Sequence, residues 1–168
     1  MELPTSRQTV YNTVMYGNSH GIDLGGAHNI YFNTIYANNG QGGNCGIYAR
    51  DNLSTNYRNN INYGNTGGAI CNSASNFSSN DHNVTSNPSF VNTGSTPPDL
   101  HLNAGSGASG TGAACCGITS DKDEVTRATS PTIGAYEGSG SASPPPFVLP
   151  APTNLRVMTA PASSQATH

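Results

Sequence analysis

Asn33-Thr34-Ile35-Tyr36-Ala37-Asn38-Asn39 has two counterparts in the chain, Asn12-Thr13-Val14-Met15-Tyr16-Gly17-Asn18 before it and Asn59-Asn60-Ile61-Asn62-Tyr63-Gly64-Asn65 after it. All three carry an Asn, a β-branched apolar residue two places on and a closing Asn, at offsets of 21 and 26 residues. Each is followed by a second short apolar piece: Gly21-Ile22-Asp23-Leu24, Gly46-Ile47-Tyr48-Ala49 and Gly68-Ala69-Ile70-Cys71. With those glycines in register, alternation puts Ile22, Leu24, Ile47, Ala49, Ala69 and Cys71 on one face, the expected core face. A third piece leads back into the next copy, His28-Asn29-Ile30-Tyr31-Phe32 before Asn33 and Thr55-Asn56-Tyr57-Arg58 before Asn59. Three short strands per period, punctuated by Gly and Asn, predict one coil of a parallel β-solenoid.

The composition fits a solenoid. Of the 168 residues 34% are hydrophobic and 9% charged, against roughly 45–50% and 25% in ordinary soluble domains. The polarity is neutral: Asn occurs 21 times, 19 of them within residues 1–92, and Gly 20 times. Asn tolerates left-handed turns, and its amide bonds its own kind one coil above and below, so a stack satisfies buried polar groups without charge. One Lys, five Arg and a net charge of −3 leave no basic stripe for phosphates, which argues against a nucleic-acid partner. No apolar run reaches the ~18–20 residues of a membrane span. Met1–Arg7 lacks the charged and apolar regions of a signal peptide, so the expectation is a leader already removed or a piece of a longer chain.

The later part of the chain reads Asn87-Pro88-Ser89-Phe90-Val91-Asn92, Asp99-Leu100-His101-Leu102, Gly105-Ser106-Gly107-Ala108 and Ile133-Gly134-Ala135-Tyr136-Glu137. In that order, after the Asn-rich copies, these segments resemble the bacterial right-handed parallel β-helix repeat proteins of the pectate-lyase-like superfamily, over about residues 8–137. In that family such segments close the solenoid, the last of them as a strand. Gly107 stands where the family has Pro, Asp121–Arg127 is looser than the family's pattern, and Ala113-Ala114-Cys115-Cys116-Gly117 looks like an inserted loop. The expected fold is therefore all-β, a right-handed parallel β-helix of about three coils plus a C-terminal β cap. The expected divisions are coils over 1–92, cap strands over 93–137, and over 138–168 a disordered Gly/Ser/Pro linker with the start of a partial module. Pro150–Val157 resembles the first strand of a fibronectin type III module, which suggests a chain cut at both ends. An N-terminal coil without a cap presents an open strand edge, which invites self-association.

The resemblance implies a secreted protein, extracellular or at the bacterial cell surface, whose partner is a polysaccharide. Lyases, glycoside hydrolases and non-catalytic surface proteins share the fold; the leading expectation is a fragment of a polysaccharide lyase or glycoside hydrolase, and the alternative is a non-catalytic glycan-binding or adhesion module. A lyase needs a base near a sugar C5 proton and a cation or Arg for the uronate; a hydrolase needs two carboxylates. The groups to carry this are Arg50, Asp51, Asp23 and His28, with Arg50-Asp51 the main charged cluster, although such a pair is more often a solvated turn. Tyr48, Tyr36, Tyr16 and Tyr63 are the expected substrate-binding rings, since aromatic faces stack on sugar rings. No cofactor is expected. Asp121, Asp123 and Glu124 make an acidic cluster with the spacing that Ca2+ uses, without the Gly and later Glu of an EF-hand loop. Among Cys45, Cys71, Cys115 and Cys116 there is no zinc-type spacing. An offset of 26 would bring Cys45 onto Cys71 within disulfide reach, whereas the glycine register, preferred here, stacks Cys71 on Ala49 as a buried thiol. Asn52, Asn76 and Asn83 begin glycosylation sequons, relevant only in a eukaryotic secretory host.

Overall fold

The computed structural model describes residues 1–3, 6–40, 45–51, 54–71 and 77–138. The expected linker and the fibronectin-like strand lie outside these, as do Asn52 and Asn76. Among the described residues there are strands, bridges and turns but no helix. β1 (Glu2–Leu3), β4 (Ile22–Leu24), β7 (Ile47–Ala49) and β10 (Ile70–Cys71) make one parallel sheet. A second parallel sheet contains β2 (Thr9–Tyr11), β5 (Asn29–Tyr31), β8 (Thr55–Arg58) and β11 (Phe77–Asp81). The third consists of β3 (Val14–Tyr16), β6 (Thr34–Tyr36) and β9 (Ile61–Tyr63), extended by a bridge from Ile61 to Val84. The chain visits the three sheets in the same order each time, so every strand pairs with its counterpart one round away, as a parallel β-helix requires.

One inward side chain or two from each strand fill the space between the sheets. Ile22, Leu24, Ile47 and Ala49 come from the first sheet, Val10, Ile30 and Tyr57 from the second, Met15 and Ile35 from the third, and together they form one buried cluster. At about 1.5–3 kcal/mol for each large side chain removed from water, this interior offsets the ordering of strands only two to five residues long.

Two corners recur along the stack. Asn12, Phe32, Asn59 and His82 follow the strands of the second sheet, and Gly17, Ala37 and Gly64 those of the third, all with positive φ. Immediately after each corner comes an inward amide or its equivalent. Asn33 Oδ1 accepts the Thr13 N–H at 3.0 Å, Asn60 Oδ1 the Asn33 N–H at 2.9 Å, and Asn83 Oδ1 the Asn60 N–H at 2.9 Å. A second ladder runs through Asn18, Asn38 and Asn65, with bonds of 2.8–3.1 Å. These ladders satisfy backbone groups inside the stack that the strands leave unpaired.

The ladders correct the register read from the sequence. Val14 pairs with Thr34 and Thr34 with Ile61, while Met15 pairs with Ile35 and Ile35 with Asn62. The middle copy is thus displaced by one residue, and Val14, Ile35 and Ile61 are not in step. The cause is Phe32, which occupies the left-handed corner where the other rounds have Asn12 and Asn59, so Asn33 is free to enter the ladder. The third round differs similarly. Ile70, not Ala69, pairs with Ile47, and Cys71 pairs with Tyr48 rather than lying on Ala49. Gly68, at φ +95°, closes a turn back to the Asn65 carbonyl instead of opening the strand. Cys71 is no free thiol: Cys45 and Cys71 are joined by a disulfide.

Residues beyond β11 return along the outside of the stack. β12 (Phe90–Asn92) and β13 (Asp99–Leu102) form an antiparallel pair. Phe90, Leu100, Leu102, Ala108 and Ile133 form one buried cluster with Ile61, against which Val14, Tyr36, Tyr63 and Val84 of the third sheet pack. Ile133–Glu137, expected as a closing strand, is a bent segment. It docks through the Gly134 N–H on the Asn59 carbonyl at 2.9 Å and the Ala135 N–H on Thr34 Oγ1 at 3.0 Å. A Cβ at Gly134 would lie 2.7 Å from Ile61 Cδ1, so only glycine lets the segment approach this closely.

Candidate glycan-binding surface

Of the charged residues expected to carry chemistry, Arg50 and Asp23 are engaged with one another, His28 is enclosed and Asp51 is exposed. Arg50 projects from the end of β7 and grips the Asp23 carboxylate of the preceding round with two bonds of 2.7 and 2.5 Å. Glu2 lies 3.4 Å away on the other side. The hydrogen bonds and charge of Asp23 raise the Arg50 pKa still further above its ordinary value. Asp51 is exposed beside this pair. His28 is fully buried: its Nδ1 accepts the Gln8 N–H at 3.2 Å, and burial, helped by nearby Arg7, lowers its pKa. A buried neutral imidazole with one nitrogen occupied has no path to a sugar proton.

The four expected tyrosines are divided. Tyr16, Tyr36 and Tyr63 align as one column on the outside of the third sheet. Tyr36 and Tyr63 stack at 6.3 Å, but Phe90 meets Tyr36 edge-on at 5.2 Å, and the returning chain covers this part of the column. Tyr48 stacks on His20 at 4.8 Å. His20 Nδ1 in turn lies 3.4 Å from Cys45 Sγ, and the His20, Cys45 and Cys71 donor atoms all fall within 4.8 Å of one another. Joined as a disulfide, the two sulfurs offer a metal no thiolate.

Charged residues of the later part of the chain hold the returning segments in place. Arg127, almost wholly buried, stacks on Phe32 at 4.0 Å, pairs with Glu137 at 3.1 Å and donates to Asn12 Oδ1 at 2.8 Å and to the Thr132 and Gly134 carbonyls. Both Asp121 oxygens accept backbone N–H groups, from Asp123, Val125 and Glu137. His101 is clamped between carboxylates, Nδ1 to Asp99 at 2.6 Å and Nε2 to Asp123 at 2.9 Å, with Tyr136 against its ring. Burial opposes its charged form, but the two carboxylates outweigh burial and raise the His101 pKa. With both ring nitrogens occupied, His101 is a fastening rather than a base.

The outer face of the second sheet lies outside the cluster that the returning chain covers and carries two columns of side chains. One column is a hydrogen-bonded polar ladder: Ser78 Oγ donates to Asn56 Oδ1, Asn56 Nδ2 to Asn29 Oδ1 and Asn29 Nδ2 to Thr9 Oγ1, at 2.8, 2.8 and 3.1 Å. Beside it Tyr11 pairs with Tyr31, Tyr31 with Arg58 and Arg58 with Asp81. Arg58 holds Asp81 through a fork of 2.5 and 3.0 Å, which keeps the Asp81 carboxyl below its usual pKa. Tyr11 is half exposed, at 52%. The loop 114–119 stands at the Tyr11 end of this face, with a recess of about 310 Å³ on the Tyr11 side and a cleft of about 520 Å³ on the other. Sequence reading placed Tyr11 and Tyr31 in no site. The available signal was their identical place in β2 and β5, hidden by the misplaced register.

No family model, no curated protein and no solved structure matches this chain.

Proposed function

We propose that this chain is a glycan-binding part of a secreted bacterial protein, a right-handed parallel β-helix of the pectate-lyase-like kind that holds an extended polysaccharide rather than cutting it. The observation that carries this is the outer face of β2, β5, β8 and β11. Rings at Tyr11 and Tyr31 lie beside a line of amide and hydroxyl groups, spaced by the strand separation of about 4.8 Å. Tyrosine faces take the apolar side of sugar rings and amides read hydroxyls, while Arg58 is already paired with Asp81. Binding is favoured over catalysis because Arg50 and Asp23 occupy each other and His28 is enclosed. Two disulfides support an oxidising, extracellular location.

The test is binding of the purified protein to neutral and acidic plant polysaccharides by affinity electrophoresis, with absorbance for unsaturated products and reducing-end release measured in parallel. We expect retardation by at least one polymer without product. Tyr11→Ala with Tyr31→Ala should weaken binding about tenfold, on the order of 0.5–1.5 kcal/mol for each lost ring contact. Arg50→Ala should leave binding unchanged. Product formation that Arg50→Ala abolishes would instead establish an enzyme.

A further inference from the structure

Cys115 and Cys116 are bonded to each other. A disulfide stabilises a fold chiefly by closing a long loop in the unfolded chain, and one between neighbours closes none. Its consequence is therefore local: it locks two residues of the 114–119 loop, with Cys116 at φ +68°, into a small rigid ring. The loop is also pinned from outside. The Asn59 amide exchanges two hydrogen bonds of 2.9 Å with the Ala113 backbone, and the Thr119 carbonyl accepts the Arg127 N–H at 2.9 Å. A surface loop this firmly fixed is pre-organised, and pre-organisation lowers the cost of binding.

The fixed loop walls the cleft of about 520 Å³, within the range of small-ligand sites. The disulfide, Ile118 and Pro131 give the cleft flat apolar surfaces, and Thr119 and Thr126 supply exposed hydroxyls. Arg127 borders the cleft, with its Nε buried and lacking a hydrogen-bond partner among the described residues. Apolar plates with a few hydroxyl partners are what a pyranose ring needs, since it is apolar on its faces and hydroxylated at its rim. The same loop lines the recess that Tyr11 enters, so it borders both the cleft and the Tyr11 end of the sheet face. We propose that this cleft is a sugar subsite, in which the Cys115–Cys116 disulfide serves as a rigid plate for one ring of the polysaccharide lying along Tyr11 and Tyr31. The subsite rests on the glycan-binding reading.

The experiment is a 15N NMR titration with oligosaccharides of two to six residues from α-1,4-galacturonan and from β-1,4-xylan. The expected result is shifts at the Gly117, Ile118, Thr119 and Ala128 amides together with those of Tyr11 and Tyr31. Replacing both cysteines (Cys115→Ser, Cys116→Ser) should abolish the loop shifts and weaken binding at least about fivefold, leaving the strand shifts and the thermal midpoint in place. Shifts confined to Tyr11 and Tyr31, or a double variant that binds as tightly as the parent, would overturn the subsite while the glycan reading stands. A large fall in the double variant's thermal midpoint would show that the bond is a structural staple and also overturn it. Absence of shifts with every oligosaccharide would overturn both.

Discussion

Asn38 and Asn39 are adjacent, identical in chemistry and opposite in role. Asn38 is fully buried; its Oδ1 accepts from Asn18, and its Nδ2 donates to the Met15 carbonyl at 3.2 Å and to Asn65 Oδ1 at 3.0 Å. Asn39 is exposed and, among the described residues, accepts from Thr66 alone. Truncating Asn38 leaves the Met15 carbonyl buried without that partner and breaks the ladder at its middle rung. Asn38→Ala should therefore cost about 2–3 kcal/mol in urea unfolding and Asn39→Ala less than about 1. That asymmetry tests the register directly, because aligning the copies by sequence makes Asn39 the closing amide. Amide content was legible in the sequence. Which of two neighbouring amides points inward was not, since that depends on which residue takes the left-handed corner, and Phe32 takes one of them.

Strands of two to five residues are too short to define their own pairing, so elements depend on what joins one round to the next. The first-sheet pieces were readable from alternation in Ile22-Asp23-Leu24 and Ile47-Tyr48-Ala49, where inward and outward residues separate as expected. The same reading failed at Ile70-Cys71, because Gly68 belongs to a turn and shifts the strand by one. The Cys45–Cys71 bond fastens that short last strand, 26 residues along the chain. Closing a loop of that length is worth about 3–4 kcal/mol. Cys45→Ser with Cys71→Ser should reduce the unfolding free energy by roughly that amount, measured by urea titration against the parent, whereas removing the vicinal pair should change it little. The two disulfides thus differ in kind although the sequence presents four equivalent cysteines.

Across the whole molecule, the returning chain packs on the third sheet, and pH acts on that chain's own fastening, the His101 clamp between Asp99 and Asp123. The folded imidazole titrates above its ordinary value near 6.5. Its contribution is therefore fully present below about pH 6.5 and lost as pH rises through the raised folded value. Asp99 has the opposite sense: burial raises its pKa, but the His101 bonds outweigh burial and lower it, so its contribution is lost only as pH falls below the ordinary carboxyl range. His28, held neutral by burial, also works against acid. The His101→Gln variant should consequently lose most stability relative to the parent between about pH 4 and 6.5, with the difference narrowing toward pH 9. Thermal melts of both proteins across that range measure it; a difference that is constant or grows with pH would refute the clamp.

The sequence by itself determined that the chain is a repeat of short parallel strands stacked with few charges, because period, alternation and amide content are local properties of the residues. It also marked Asp121, Arg127 and Glu137, though not their roles. Only the tertiary structure decided the register, the disulfide pairing and which surface the returning chain covers. The reason is physical: unequal rounds offset by 20, 27 and 23 residues can be aligned in several ways that bury similar side chains. The choice among them rests on ladders and corners that exist only once the rounds are stacked. The Tyr16, Tyr36 and Tyr63 column was legible as a column, but its partial burial under Phe90 depends on residues far along the chain returning to lie on it. Tyr11 and Tyr31, on the second sheet, lie outside that covered cluster.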